Sequence, residues 1–119
     1  IKVLPDLNAN GKLTLGENIA DHGGLNIAFQ AFQTAMKKHP LKKVDGFTPE
    51  QRFFLSYGLI WACNTREEML RQLVKTDPHS PALWRVNGAL PHIDAWYKAF
   101  HITKKDPLFV PKNKRVDIW

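Results

Sequence analysis

The sequence predicts an all-α domain of about five helices followed by an irregular C-terminal tail. Two observations carry this reading. Apolar residues return three or four positions apart, most clearly in Leu25, Phe29, Phe32 and Met36, which is the period of one helix face. Between such stretches stand helix start and stop signals: Pro40, Thr48-Pro49 with Gln51, Ser80-Pro81 and Asn87-Gly88. At 119 residues the chain is long enough to bury one real core, and no internal repeat divides it.

Residues 1 to 13, with Pro5, Asn8, Asn10 and Gly11, read as a lead-in in which Ile1 to Leu4 form at most a short extended segment. The first helix is expected from about Gly16 to Lys38, opened by a capping box of Thr14 and Glu17. Lys37-Lys38 suits its C-terminal dipole and Pro40 ends it. Gly23-Gly24 inside it costs about 1 kcal/mol per glycine relative to alanine, which implies a close approach by another group there. A second capping box, Thr48 with Gln51 and Pro49 at the first helical position, opens helix two. Phe53, Tyr57 and Ile60 share a face of it beside Phe54 and Trp61, so heavy burial is expected.

Thr65 to Glu68 offers a third capping box, for a helix through Lys75 with Met69, Leu70, Leu73 and Val74 turned inward. Pro78 breaks it by biasing the residue before it away from helix. Ser80 as cap and Pro81 as first residue open the fourth helix, and Asn87-Gly88 closes it. Pro91 opens the fifth, where Ile93, Trp96, Tyr97 and Phe100 keep the helical period. Beyond His101, Pro107, Pro111 and several lysines make the tail irregular up to Trp119.

Composition narrows the function classes. Hydrophobic residues make up 44% and charged residues 24%, as in a globular chain, and no apolar run approaches the length of a membrane span or has the layout of a signal peptide. The net charge of +6 is spread over short knots such as Lys42-Lys43 and Lys104-Lys105. Without interleaved aromatics or a DNA-binding motif, nucleic acid is not the expected partner. The single cysteine, Cys63, excludes an internal disulfide and is expected to be a small buried residue beside Trp61.

Two strings stand out. In Thr14 to Leu25, Glu17 and Asp21 lie four residues apart, on one face of the first helix. Like charges so stacked repel, and they call for screening by solvent or for a cation between them. Capping and dipole chemistry would also account for both acids. In Thr76-Asp77-Pro78-His79-Ser80-Pro81, a histidine follows an aspartate by two residues and can have its ring held by that carboxylate. Taken alone it reads more readily as a structural loop histidine, with Arg85 a solvated charge one turn into the next helix.

The string Leu15-Gly16-Glu17-Asn18-Ile19-Ala20-Asp21-His22-Gly23-Gly24 resembles the third zinc-ligand motif of the neprilysin-type zinc endopeptidases, the neprilysin and endothelin-converting enzyme family. Lys75-Thr76-Asp77-Pro78-His79-Ser80-Pro81, with Arg85 following, resembles a second motif of the same family, and the two stand in family order. The resemblance runs from Gly16 to Trp119. It implies that Glu17 binds zinc and that Asp21 orients a zinc-binding histidine, the usual partner of such a ligand. It further implies that His79 stabilises the oxyanion of the tetrahedral intermediate, that Asp77 holds His79, and that Arg85 binds a substrate backbone carbonyl. Ile60-Trp61 occupy the place of an aliphatic and tryptophan pair lining the apolar pocket for the residue after the cut. Oligopeptide substrates and a location outside the cytoplasm, periplasmic or at the cell surface, follow from the same likeness.

The chain also departs from the pattern. His22 stands where an asparagine is common, and the tail lacks a cysteine near Trp119 that vertebrate members carry, which suits a bacterial member. Family members take two zinc ligands and the general base from His-Glu-x-x-His on another helix, and none of the histidines at 22, 39, 79, 92 and 101 precedes a glutamate. One carboxylate cannot hold zinc against water. Since the chain opens on Ile1 rather than methionine, it is expected to be the C-terminal portion of a catalytic domain, inactive alone and completed by the N-terminal remainder of the same polypeptide. The alternative is a non-enzymatic basic helical binding module.

Overall fold

The structure, a computed structural model, describes residues 1–118; Trp119, where the sequence resemblance ends, lies outside the described residues. The fold is predominantly α, in the order β1 (Lys2–Leu4), β2 (Leu7–Asn8), α1 (Gly11–Lys38), α2 (Pro49–Ile60), α3 (Glu67–Thr76), α4 (Ala82–Asn87) and α5 (Asp94–Phe100). Short 3-10 turns at Leu90–His92 and Lys112–Lys114 precede α5 and interrupt the tail.

The lead-in is more ordered than expected. β1 and β2 pair antiparallel, with Leu4 opposite Leu7, and the Asp6 carboxylate at the turn receives both Nη1 (2.8 Å) and Nη2 (2.9 Å) of Arg71 on α3. The hairpin delivers Asn10 as the N-cap of α1, its Oδ1 accepting from the backbone N–H of Lys12 and Leu13. α1 therefore starts five residues before Gly16, and the Thr14 and Glu17 capping box does not form. Thr14 lies buried inside the first turns, its Oγ1 donating back to the Asn10 carbonyl. Asparagine caps at least as well as threonine, and the earlier cap gains an extra turn.

The Thr48 and Gln51 box of α2 forms in both directions, and Gln51 Nε2 also donates to the Ala99 carbonyl at 2.9 Å, tying α2 to α5. The other two boxes do not. Arg66 rather than Thr65 caps α3, without a side-chain bond, while Glu67 of the first turn pairs with Arg71. Pro81 caps α4, and the Ser80 hydroxyl is used elsewhere. Pro91 sits within the first 3-10 turn, so α5 begins three residues later than expected. Gly88 at the end of α4 is required sterically, since a Cβ there would lie 2.5 Å from the Trp84 carbonyl oxygen.

The core lies where α1, α2 and α5 meet: Leu25 and Phe29 from α1, Phe54 from α2, and Leu90, Ile93, Trp96 and Tyr97 from the 3-10 turn and α5. Phe29 stacks on Phe54 with centroids 5.1 Å apart and meets Phe53 edge-on at 5.2 Å, geometries that suit the ring quadrupoles. α2 is nevertheless not heavily buried, because Leu55, Leu59 and Ile60 are exposed. Met69 of α3 is exposed rather than inward, and Cys63 is exposed rather than buried. Gly24 faces open space, so no close approach explains it. Among the described residues no helix is long and apolar enough to cross a membrane.

Candidate functional site

Two adjacent polar pairs join α1 to the segment running from the end of α3 into α4. In the first, His79 stands between two carboxylates. Asp77 Oδ1 accepts from the His79 backbone N–H at 2.8 Å and lies 2.7 Å from ring Nδ1. The other ring nitrogen, Nε2, lies 3.2 Å from Glu17 Oε2. The backbone N–H of His79, then its ring, hold the Asp77 carboxyl below its ordinary range. Asp77 thus orients the ring from the Nδ1 side and turns Nε2 toward α1.

In the second pair, Arg85 of α4 forks onto Asp21, with Nε to Oδ2 and Nη2 to Oδ1 both at 2.6 Å. Both side chains are largely buried. Asp21 raises the Arg85 pKa above its ordinary value, so the guanidinium charge is permanent. The Trp61 ring covers the guanidinium with 3.8 Å from Cζ to the ring centroid, and Tyr57 donates its hydroxyl to the Arg85 carbonyl at 3.1 Å. Burial, and then the Asp21 charge, push the Tyr57 phenol up, which keeps it a donor.

The structure therefore brings Glu17, Asp77 and His79 into one contact chain and Asp21 and Arg85 into another. It separates Ile60 from Trp61. Ile60 borders a cleft of about 350 Å³ with Asp21, Leu25, Phe53 and Tyr57, whereas Trp61 packs on Arg85. A larger cavity of about 690 Å³ is bordered by Phe29, His92, Asp94 and Arg115 and by none of these polar pairs, so size does not mark the chemistry here. Sequence reasoning missed Asn18, Ser80 and Tyr57. Asn18 lies inside the quoted motif, but nothing local reveals that its partner is Ser80.

Among the described residues no group of three or more His, Cys, Asp and Glu side chains converges to hold a metal ion. The Glu17 carboxylate is about half exposed, and His79 is its contact among the described residues. A catalytic zinc takes about three protein ligands, so the described residues alone make an incomplete donor set for zinc.

The sequence profile of Peptidase family M13 matches residues 2–116. The chain is 40% identical over 121 residues to Neprilysin-1 of Caenorhabditis elegans, covering 96% of this chain and 16% of that relative. It is 40% identical over 113 residues to human Membrane metallo-endopeptidase-like 1, covering 92% of this chain and 14% of the other. The crystal structure of the zinc metalloprotease Zmp1 of Mycobacterium tuberculosis in complex with inhibitor superposes with a TM-score of 0.90 at 40% identity, over 94% of this chain and 17% of that one. With a profile match across nearly its whole length and relatives at this identity, the chain belongs to Peptidase family M13.

Proposed function

We propose that these residues are the C-terminal portion of the catalytic domain of a zinc metalloendopeptidase that hydrolyses oligopeptides. In this reading Glu17 is one zinc ligand, and the remaining ligands and the general base come from a His-Glu-x-x-His segment in the N-terminal remainder of the polypeptide. Zinc, when bound, supplies the Lewis acidity that makes water nucleophilic at neutral pH. The observation that carries the reading is the 3.2 Å approach of Glu17 to His79, which sets a carboxylate of α1 beside the ring of the loop between α3 and α4.

The roles follow from the contacts. His79, oriented through Nδ1 by Asp77, offers Nε2–H to a developing oxyanion once Glu17 is engaged elsewhere. A fixed donor of this kind is worth about 3 kcal/mol to the barrier. Asp21 accepts one bond at each oxygen from Arg85 and retains lone pairs with which to orient a zinc-binding histidine. Arg85 spends Nε and Nη2 on Asp21, leaving Nη1 for a substrate backbone carbonyl. Trp61, packed on the guanidinium, and Ile60, on the neighbouring cleft that Asp21 also borders, supply apolar surface for the residue after the cut. The isolated 119-residue chain is inactive in this reading, and the intact enzyme works outside the cytoplasm, as the family likeness suggests.

The test uses the intact protein. Glu17→Ala should lose both zinc and peptide cleavage, while His79→Ala should keep zinc and lose turnover by about two orders of magnitude. Full zinc content and full cleavage in Glu17→Ala would refute the ligand assignment, whereas an intact wild-type protein that neither binds zinc nor cleaves peptides would favour the alternative of a basic helical binding module.

A further inference from the structure

We infer that Asn18 and Ser80 form a latch that positions His79, an inference that rests on the oxyanion role proposed for that residue. Ser80 Oγ donates to Asn18 Oδ1 at 2.7 Å across 62 residues of sequence. Asn18 Nδ2 in turn donates to Thr14 Oγ1 at 3.2 Å, and the Thr14 hydroxyl donates to the Asn10 carbonyl at 3.3 Å. The direction of this relay is forced. Because the Thr14 proton goes to Asn10, Thr14 can only accept from Asn18, so the amide must point its NH2 at Thr14 and its oxygen at Ser80.

The latch is what holds the loop. The pair between His79 and Glu17 is about half exposed, and exposed ion pairs contribute little against side-chain entropy and salt. Asp77 anchors His79 only within its own loop, since both its bonds span two residues. The bond from Ser80 to Asn18 is partly buried, and it joins the residue after His79 to the residue after Glu17. Pro78 and Pro81 fix φ on either side, so anchoring Ser80 leaves His79 little freedom. One hydroxyl thus sets the register between the loop and α1, and with it the placement of Nε2.

Removing the anchor should move His79 without touching zinc or substrate contacts. In the intact enzyme, assayed with an internally quenched oligopeptide carrying phenylalanine after the cut, Ser80→Ala should lower kcat roughly tenfold or more, since misplacement of a catalytic group by about 1 Å has such effects. KM should stay within about twofold, with zinc stoichiometry and the circular dichroism spectrum unchanged. Asn18→Ala should give the same fall, the double variant no further fall, and Ser80→Thr, which keeps the hydroxyl, should restore most of kcat. In a His79→Ala background Ser80→Ala should have no effect, because the latch acts only through that ring. Wild-type kcat in Ser80→Ala, or an equal fall with and without His79, would overturn the latch while leaving the oxyanion role standing. Wild-type kcat in His79→Ala would instead refute the role itself, and the latch with it.

Discussion

Arg85 and Asp21 face each other fork to fork across 64 residues of sequence, with both hydrogen bonds at 2.6 Å and both side chains about 15% exposed. A charge so shielded is costly to leave alone. Arg85→Ala should therefore destabilise the intact protein by about 2 to 3 kcal/mol, read as a fall in the urea midpoint, besides raising KM. Arg85→Lys should recover little, because an ammonium cannot match both carboxylate oxygens. Asp21→Leu with Arg85→Met, which leaves neither charge stranded, should restore most of the stability and none of the peptidase activity. Equal stability of Arg85→Ala and wild type would show that the pair is solvated and does not brace α4 against α1.

A different electrostatic situation governs His22 and His92, whose rings lie 5.8 Å apart on α1 and the 3-10 turn. His92 Nδ1 accepts from the Val116 backbone N–H at 3.0 Å, which requires an unprotonated Nδ1, and His22 Nε2 is buried without a described partner. Burial lowers both pKa values. Each is lowered further by a neighbouring cation, protonated His92 for His22 and Arg115 for His92, with Asp117 opposing at His22. A histidine depressed in the folded state contributes stability that is complete above its unfolded value near 6.5 and is lost as pH falls through the lowered folded value. The thermal midpoint should thus drop as the pH falls below about 6.5, and His22→Asn should flatten that drop. An unchanged slope in His22→Asn would place the titration elsewhere.

What could be read from the sequence divides by range. The Thr48 and Gln51 box was legible because both partners lie within one turn and nothing nearby competes. The Thr14 and Glu17 box had the same wording and failed, since Asn10 offers an equivalent cap one turn earlier. Periodicity showed which residues share a face but not whether anything covers it, which is why Ile60 and Met69 proved exposed. Glu17 and His79 were named from motif wording alone. That they meet, and that Ser80 reaches Asn18 rather than capping α4, depends on how α1 crosses the loop, which no local spacing encodes.

The link from Arg71 to Asp6 tests how far an exposed pair can order a segment. Arg71 also binds Glu67, yet all three lie at the surface, where such pairs add little to global stability. Arg71→Ala should leave the unfolding midpoint unchanged while speeding amide exchange in residues 1 to 8, because the hairpin is pinned to α3 there. Unaltered exchange in those amides would mean that strand pairing alone holds the hairpin.

Gln51 has two tasks, and they can be separated. Its Oε1 accepts from the Thr48 backbone N–H at 2.9 Å, closing the capping box, while Nε2 donates to the Ala99 carbonyl at 2.9 Å. Thr48→Ala removes only the cap and should cost about 1 kcal/mol. Gln51→Ala removes half the box and also strands the partly buried Ala99 carbonyl, so it should cost about 2 kcal/mol. Gln51→Glu keeps an acceptor for the box but offers carboxylate to a carbonyl, so its loss should match or exceed that of Gln51→Ala. If Gln51→Glu were instead as stable as wild type, the bond from α2 to α5 would contribute nothing, and side-chain packing such as that of Phe54 on Phe100, ring centroids 6.5 Å apart, would set how those helices meet.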